Sequence, residues 1–473
     1  MSISPTSEQQ LVIDGSPHFI KKKESVMVLS LPGTGKTSLL KEIVQENPKS
    51  KFIYIVFSRE GANSSREAMP KNCEVVNLHA LARKSIDLHG VDIVSRYSTS
   101  RTAKLLKTTL GNGSKVNKLL EQYFTSDELG FTEFAKKRNA ADVIITHATT
   151  MLFMMSKREI DITPSFFLKE YSLKIFQGKK VGKFDCLLVD EYQDANGVAK
   201  SIYKNIGNLA KIYVGDDNQA IFGFMGAHNA ISQTQTDRSY VLTVNFRSSP
   251  EVISVANDIL INFSGSKEVI KTSDTIKKKT GVDAILTRTN AEIIKYIDLY
   301  DDFSIVKSAE ELFALPIILA NWKKGNWEDV PKQHYYLKQI HNDKELKEYS
   351  AKTGNQSLMS SFLLCKKYSL EKLLELKEKT EKSFSKKGKT KLLTAHTAKG
   401  LEFDNVRLAG DFPNLFSLAR KVKRKESTRA ELKEEVALYF VAVTRAIYSV
   451  TDKTPNLTLT TEQKHFIRDI LCD

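Results

Sequence analysis

Val26-Met-Val-Leu-Ser30-Leu-Pro-Gly33-Thr34-Gly35-Lys36-Thr37-Ser38-Leu-Leu40 passes from an apolar strand through a glycine-rich turn into an amphipathic helix. This is the pattern of a phosphate-binding loop. Gly33 and Gly35 let backbone N–H groups close around phosphate oxygens, Lys36 reaches toward β and γ phosphates, and the Thr37 hydroxyl suits Mg²⁺. Ser30 stands where the full pattern has its first glycine, and a plain Gly/Pro turn between strand and helix would read similarly. The order strand, turn, helix favours nucleotide chemistry.

Outward from this loop, short β-rich runs recur with helical stretches between them, at Phe52–Phe57, Phe184–Val189, Lys211–Val214, Asp283–Leu286 and Lys391–Ala395. That rhythm predicts an α/β fold built on parallel sheets. Between about 86 and 170, and again from about 310 to 385, the pattern turns helical, as insertions into two sheet domains. Ser264–Gly281 and Ser383–Thr390 read as linkers or exposed turns, and Lys421–Lys425 as a basic run on a solvated face.

The 473 residues suffice for about three domains, and a hydrophobic content of 41% is enough to bury cores. The start, Met1-Ser-Ile-Ser-Pro-Thr-Ser7, lacks the regions of a signal peptide, and no apolar run approaches a membrane span, so an intracellular protein (cytoplasm or nucleoid, or nucleus) is expected, not a secreted one. Cys73, Cys186, Cys365 and Cys472 are too dispersed for a zinc ribbon or a disulfide framework. Basic residues number 71 against 56 acidic, a formal charge of +15 that favours a polyanion such as nucleic acid, although lysine-rich surfaces also serve solubility.

Phe184-Asp-Cys-Leu-Leu-Val189-Asp190-Glu191-Tyr-Gln-Asp194 brings two carboxylates to the end of an apolar strand. Such ends face the ligand crevice of open α/β sheets. There Asp190 can hold Mg²⁺ and Glu191 can activate a water, although a carboxylate pair also suits a helix start. Gln219, in Val214-Gly-Asp-Asp-Asn-Gln219-Ala-Ile-Phe222-Gly-Phe224-Met-Gly226, offers an amide to a γ phosphate or water. Arg247 and Arg445 lie beside turn and helix signals, and a guanidinium answers γ-phosphate charge or simply closes an ion pair.

Taken in order, Thr6-Ser-Glu-Gln9, Gly33–Thr37, Val56-Phe-Ser-Arg59, Asp190–Asp194, Gly215–Phe224, Asn245-Phe-Arg247-Ser, Thr394-Ala-His396-Thr-Ala-Lys399-Gly-Leu-Glu402-Phe and Val441-Ala-Val-Thr-Arg445-Ala resemble the motifs of UvrD/Rep-type superfamily-one DNA helicases. The resemblance runs from about residue 5 to 450. Pro70–Ala82 and Leu286–Ala291 look closest to the helicase core of the F-box DNA helicases, without the F-box segment.

The resemblance implies two RecA-like parallel-sheet domains with mostly helical insertions: 1A at 1–85 and 171–262, 1B at 86–170, 2A at 263–309 and 386–473, and a reduced 2B at 310–385. It implies ATP and Mg²⁺ as cofactors. Gln9 would read the adenine edge, Phe246 would stack on the base where the family usually has Tyr, and Glu402 would bond the ribose. Gly33, Thr34, Gly35, Lys36, Thr37 and Ser38 would cradle phosphates, with Thr37 and Asp190 on the metal. Glu191 would be the general base, with Gln219, Arg247 and Arg445 at the γ phosphate. Phe57, Ser58, Arg59, His79, Phe222, Phe224, Thr394, His396 and Lys399 match positions that touch single-stranded DNA. His79 and His396 would equally suit a core.

The family commonly has Trp-Arg where this chain has Phe224-Met225, which removes one polar contact but leaves a ring for stacking. The expected activity is ATP-driven 3′-to-5′ translocation by a monomer on single-stranded and tailed duplex DNA, with unwinding, no membrane contact, and replication, repair or recombination proteins as candidate partners. Two alternatives stand beside it: a translocase that strips bound proteins with little unwinding, and a nucleotide-dependent switch without motor action.

Overall fold

The computed structural model describes residues 4–56, 59–86, 90–223, 229–273, 279–353, 356–383 and 390–472, with the backbone alone at 59–62, 64, 332, 333, 335, 351–353 and 356. It comprises two compact units, Met1–Asn245 and Phe246–Asp473.

The first unit is organised by a six-stranded parallel sheet. Its strands are β1 (Ser25–Ser30), β2 (Phe52–Val56), β3 (Cys73–Asn77), β4 (Cys186–Val189), β5 (Ala210–Gly215) and β6 (Arg238–Leu242), in the spatial order β3-β2-β4-β5-β1-β6. Every residue of Phe52-Ile-Tyr-Ile-Val56 and Cys186-Leu-Leu-Val189 is buried, as a sheet covered on both faces requires. Alternation divides the side chains between two cores. Val26, Val28, Tyr54, Leu188 and Ile212 pack with the helices Ser7–Lys22 and Lys36–Glu46. Met27, Ile53, Ile55, Leu187 and Tyr213 share a second core with the helices between Leu110 and Phe176. The helical segment after residue 86 therefore continues the sheet's own core.

The second unit holds a five-stranded parallel sheet of β7 (Asp283–Thr287), β8 (Ser304–Ile305), β9 (Thr390–Thr394), β10 (Phe403–Leu408) and β11 (Ala446–Asp452), ordered β8-β9-β7-β10-β11. The helices Ala309–Lys324, Gln356–Lys367 and Leu370–Ser383 bury Phe313, Phe362 and Leu373 in one core with Ile285, Ile305 and Leu392 of the strands.

The division between units falls between Asn245 and Phe246, whereas the sequence suggested a boundary at 262. Hydrogen bonding explains the position. Ser249 N–H donates to the Ile447 carbonyl at 2.7 Å, and the Ser248 and Ser249 hydroxyls donate to Ala446 and Tyr448 carbonyls at 2.8 and 2.7 Å. These bonds stitch Phe246–Ser249 and the helix Pro250–Asn262 to β11. Ser249 also caps that helix through Val252 N–H, as its place before Pro250 predicts.

Among the described residues no helix is long and apolar enough to cross a membrane. All four cysteines are free thiols.

Candidate functional site

The parallel register aligns the carboxyl ends of β1, β5, β4 and β2 along one edge: Leu29 lies opposite Gly215, Tyr213 opposite Val189, and Val189 opposite Ile55. The loops leaving these strands carry the expected nucleotide residues. Gly33 and Gly35 adopt positive φ of 73° and 79°, and the helix begins directly at Lys36. Its first N–H groups have no side-chain cap, which leaves them available to an anion, and Thr37 and Ser38 are exposed beside them.

Ser30 at the first-glycine position has a structural role of its own. Its hydroxyl lies 2.6 Å from the Thr34 hydroxyl, which donates to the Leu31 carbonyl at 2.8 Å, so the loop is closed from inside. Asn245 anchors it further through Pro32 O at 2.7 Å. Gln9 completes the cradle: its amide nitrogen donates to Thr34 O at 3.0 Å and its amide oxygen accepts from Thr6 N–H at 2.9 Å. The side chain expected at an adenine edge is thus already engaged at both ends. These bonds fix its orientation and leave the second amide N–H and the second lone pair of its oxygen for a base edge.

At the end of β4, Asp190 is held on both oxygens, by the Tyr54 hydroxyl at 2.9 Å and by Glu191 N–H at 2.9 Å. Glu191 sits in the left-handed region at φ 52°, a conformation that costs energy for a residue with a Cβ and that collects at functional sites. Its carboxylate lies 3.9 Å from Lys36 Nζ and accepts from the Gln193 amide at 2.5 Å. Gln193 in turn accepts from Asp216 N–H at 3.1 Å, and a Cβ on Gly215 would fall 2.4 Å from its oxygen. Gly215 is required there so that Gln193 can reach across.

Burial, and then the neighbouring Glu191 charge, raise the Asp190 carboxyl above the usual carboxylate range, while Lys36 opposes the rise. Burial likewise raises Asp216, which accepts from the Gln219 amide at 2.5 Å. A crowded carboxylate set with raised proton affinity is the environment a divalent cation relieves. Among the described residues no group of three or more His, Cys, Asp or Glu side chains could hold a metal by itself. The donor set fits an ion brought in with phosphates, such as Mg²⁺, on Thr37 and Asp190.

The second unit gathers a separate cluster. Arg247 Nη2 lies 2.6 Å from Glu402 Oε1, and its Nη1 donates to Thr444 O at 3.4 Å. Arg445, buried to 3% exposure, donates from Nε to Val441 O at 3.0 Å and from Nη2 to the Thr444 hydroxyl at 3.2 Å. Residues far apart in sequence thus meet at the end of the helix Arg429–Val443. Phe246 is half-buried at the start of this unit.

The expected DNA-contact residues divide. Phe57, Ser58 and Phe224 lie outside the described residues, as does the side chain of Arg59. His79 meets Phe167 edge-on with centroids 5.9 Å apart, and burial lowers its basicity. It also lines a cavity of about 890 Å³ shared with Lys118, Arg138, Asn196 and Lys200. Phe222 is half-buried. Thr394 caps its own short helix through Thr397 N–H at 3.3 Å. His396 is pushed down to about 4 by burial and by the charges of Arg288, Lys307 and Lys399. Lys399 closes that turn.

Comparison with known proteins places these motifs. A UvrD-like helicase C-terminal domain matches residues 295–449, and a UvrD/REP helicase N-terminal domain matches residues 167–239. The two matches lie in the two units of the chain and together resemble the N- and C-terminal domains of UvrD-like helicases. F-box DNA helicase 1 of Gallus gallus is 24% identical over 499 residues, covering 93% of this chain and 48% of that protein. F-box DNA helicase protein 1 of Schizosaccharomyces pombe is 24% identical over 514 residues, covering 93% of this chain and 56% of the relative. The mitochondrial ATP-dependent DNA helicase HMI1 of Saccharomyces cerevisiae is 36% identical over 101 residues, 20% of this chain and 14% of that protein. The chain spans about half the length of the two F-box helicases it matches.

Tyr54 and Gln193 are the site residues of this UvrD-like chain to which sequence reading gave no role. A tyrosine two places before the end of an aliphatic strand and a second amide within Asp190–Asp194 were the available signals.

Proposed function

We propose that this chain is an ATP-dependent motor that moves 3′-to-5′ along single-stranded DNA and separates duplex. The observation that carries the reading is Glu191, held in a left-handed conformation beside Lys36 and tied through Gln193 to the backbone of Asp216. This arrangement points a fixed carboxylate at the mouth of a phosphate cradle, as a base for water attack requires.

In this reading the helix start at Lys36 binds the β and γ phosphates, and Lys36 leaves Glu191 for them. Glu191, freed of that cation, takes the proton of the attacking water. Gln219 orients the water, and Arg247 and Arg445 supply guanidinium charge to the transferring phosphoryl group. Thr37 and Asp190 would hold a divalent cation, which would supply Lewis-acid charge for the phosphate oxygens. Phe246 stacks on the base and Glu402 bonds the ribose. Phe57, Ser58, Arg59, His79, Phe222, Phe224, Thr394, His396 and Lys399 are the proposed strand contacts. The proposed division is 1A and 1B within the first unit and 2A and 2B within the second. DNA as the substrate sets the protein inside the cell, working as a monomer.

The test is release of a labelled strand from tailed duplexes. ATP-dependent release from 3′-tailed but not 5′-tailed substrate, lost in Lys36→Ala, is expected. ATP hydrolysis stimulated by single strands with no release from either substrate assigns a translocase instead. Hydrolysis indifferent to DNA assigns a switch.

A further inference from the structure

The helix Leu415–Lys423 buries Leu415 and Ala419 and turns a run of cations outward: Arg420, Lys421, Lys423, Arg424 and Lys425, followed by Arg429, all exposed. Among the described residues the side chains of Arg420, Lys421, Arg424, Lys425 and Arg429 make no ion pair or hydrogen bond, and Lys423 lies 5.3 Å from the centroid of the Phe466 ring. The lysine-rich helix Leu370–Ser383 solves the same problem differently. There Lys372, Lys377, Lys379 and Lys382 pair with Glu375, Glu310, Asp301 and Glu378 at 2.6 to 2.8 Å. Cations in the last turn favour a helix C-terminus, but that interaction is confined to the turn and does not extend to Lys425 and Arg429 beyond it. Like charges left together, with Glu426 the one acid among them and no ion pair to it among the described residues, are stabilised by an external polyanion.

The platform is firm. Asn414 caps the helix through Ser417 N–H at 2.8 Å, and Asn456 accepts from Leu415 N–H at 2.9 Å and donates to Pro413 O at 3.0 Å. At the other end, Arg424, Lys425 and Glu426 N–H groups return to Arg420, Val422 and Lys421 carbonyls. The neighbouring rings are half-buried: Phe416 and Phe466 pack edge-on with centroids 5.4 Å apart, and Lys423 lies over the Phe466 ring. Single strands are held by stacking as well as charge, whereas duplex is held at its backbone by charge alone.

We propose that the cationic face Arg420–Lys425, extended by Arg429, is a docking surface for the phosphate backbone of double-stranded nucleic acid. It rests on the motor reading and adds a duplex contact on the second unit, separate from the strand-contact residues named above. A folded helix also argues against recognition of the same run as an extended import peptide, since extension would expose Leu415 and Ala419.

The experiment uses the full chain and K421Q/K423Q/R424Q/K425Q, with K377Q/K382Q as a control. Anisotropy of a labelled blunt duplex is followed between about 50 and 200 mM salt, with ATP turnover stimulated by oligo-dT measured alongside. Expected are at least about tenfold weaker duplex binding and a log K against log salt slope shallower by up to about 3.6, at roughly 0.9 for each of the four lost phosphate contacts. The control and the oligo-dT response are expected to be unchanged. An unaltered slope overturns the proposal, as does equal weakening toward oligo-dT. Retained duplex binding with lost binding to a nuclear-import receptor overturns it in favour of an address signal. A parent protein whose turnover ignores oligo-dT while the slope still changes refutes the motor reading and leaves the duplex surface standing.

Discussion

Arg247 and Glu402 form an ion pair in the second unit, Nη2 to Oε1 at 2.6 Å, with both side chains largely withdrawn from water. The proposed γ-phosphate arginine and the proposed ribose carboxylate therefore restrain one another. Arg247→Ala is expected to lower kcat for ATP by about 10³, the scale of a transition-state guanidinium. Glu402→Gln is expected to raise KM for ATP about tenfold and lower kcat far less, as loss of one charged hydrogen bond does. Steady-state turnover at saturating single-stranded DNA checks both.

Gln193 is expected to act by position, since it fixes the Glu191 carboxylate from the Asp216 side of the site. Gln193→Ala lowers kcat by about 10- to 100-fold with little change in KM for ATP. Equal rises in KM and falls in kcat would contradict a purely positioning role.

Tyr54→Phe keeps the ring in its core and removes the donor to Asp190. The expected cost is about 1 to 3 kcal/mol of stability, from a buried acceptor left with one bond fewer, together with a raised Mg²⁺ requirement for turnover. Denaturant midpoints and Mg²⁺ titration of the ATPase measure the two effects.

Much of this was legible in the sequence because short apolar runs between polar residues, often β-branched or aromatic, fit strands buried on both faces. Phe52–Val56 and Cys186–Val189 are of this kind. β6 begins with exposed Arg238 and Ser239, β8 has two residues, and β10 alternates buried and exposed positions around Asn405 and Arg407, so none stood out as an apolar run. The site shows the same divide. Lys36, Asp190 and Glu191 follow from spacing, but Tyr54 acquires a role only through register, which sets it opposite Leu188 on the face that Asp190 shares. Gln9 fitted an adenine contact by position, while only coordinates reveal that Thr6 and Thr34 orient its amide.

His396 provides a pH signature. Its folded proton affinity is depressed to about 4, against an ordinary value of about 6.5 in the unfolded chain. Between these values the unfolded chain binds more protons, so stability rises with pH: the contribution is complete above about 6.5 and is lost as pH falls toward 4. The expected loss is at most about 3 kcal/mol. Urea midpoints at several pH values check it, and His396→Asn flattens the profile.

The most direct measurement is ATP turnover by Glu191→Gln with and without single-stranded DNA, alongside nucleotide and strand binding. The account predicts parent turnover stimulated by the strand, a fall of about 10² to 10⁴ in the variant, and both ligands still bound. A variant hydrolysing ATP near the parent rate would contradict it.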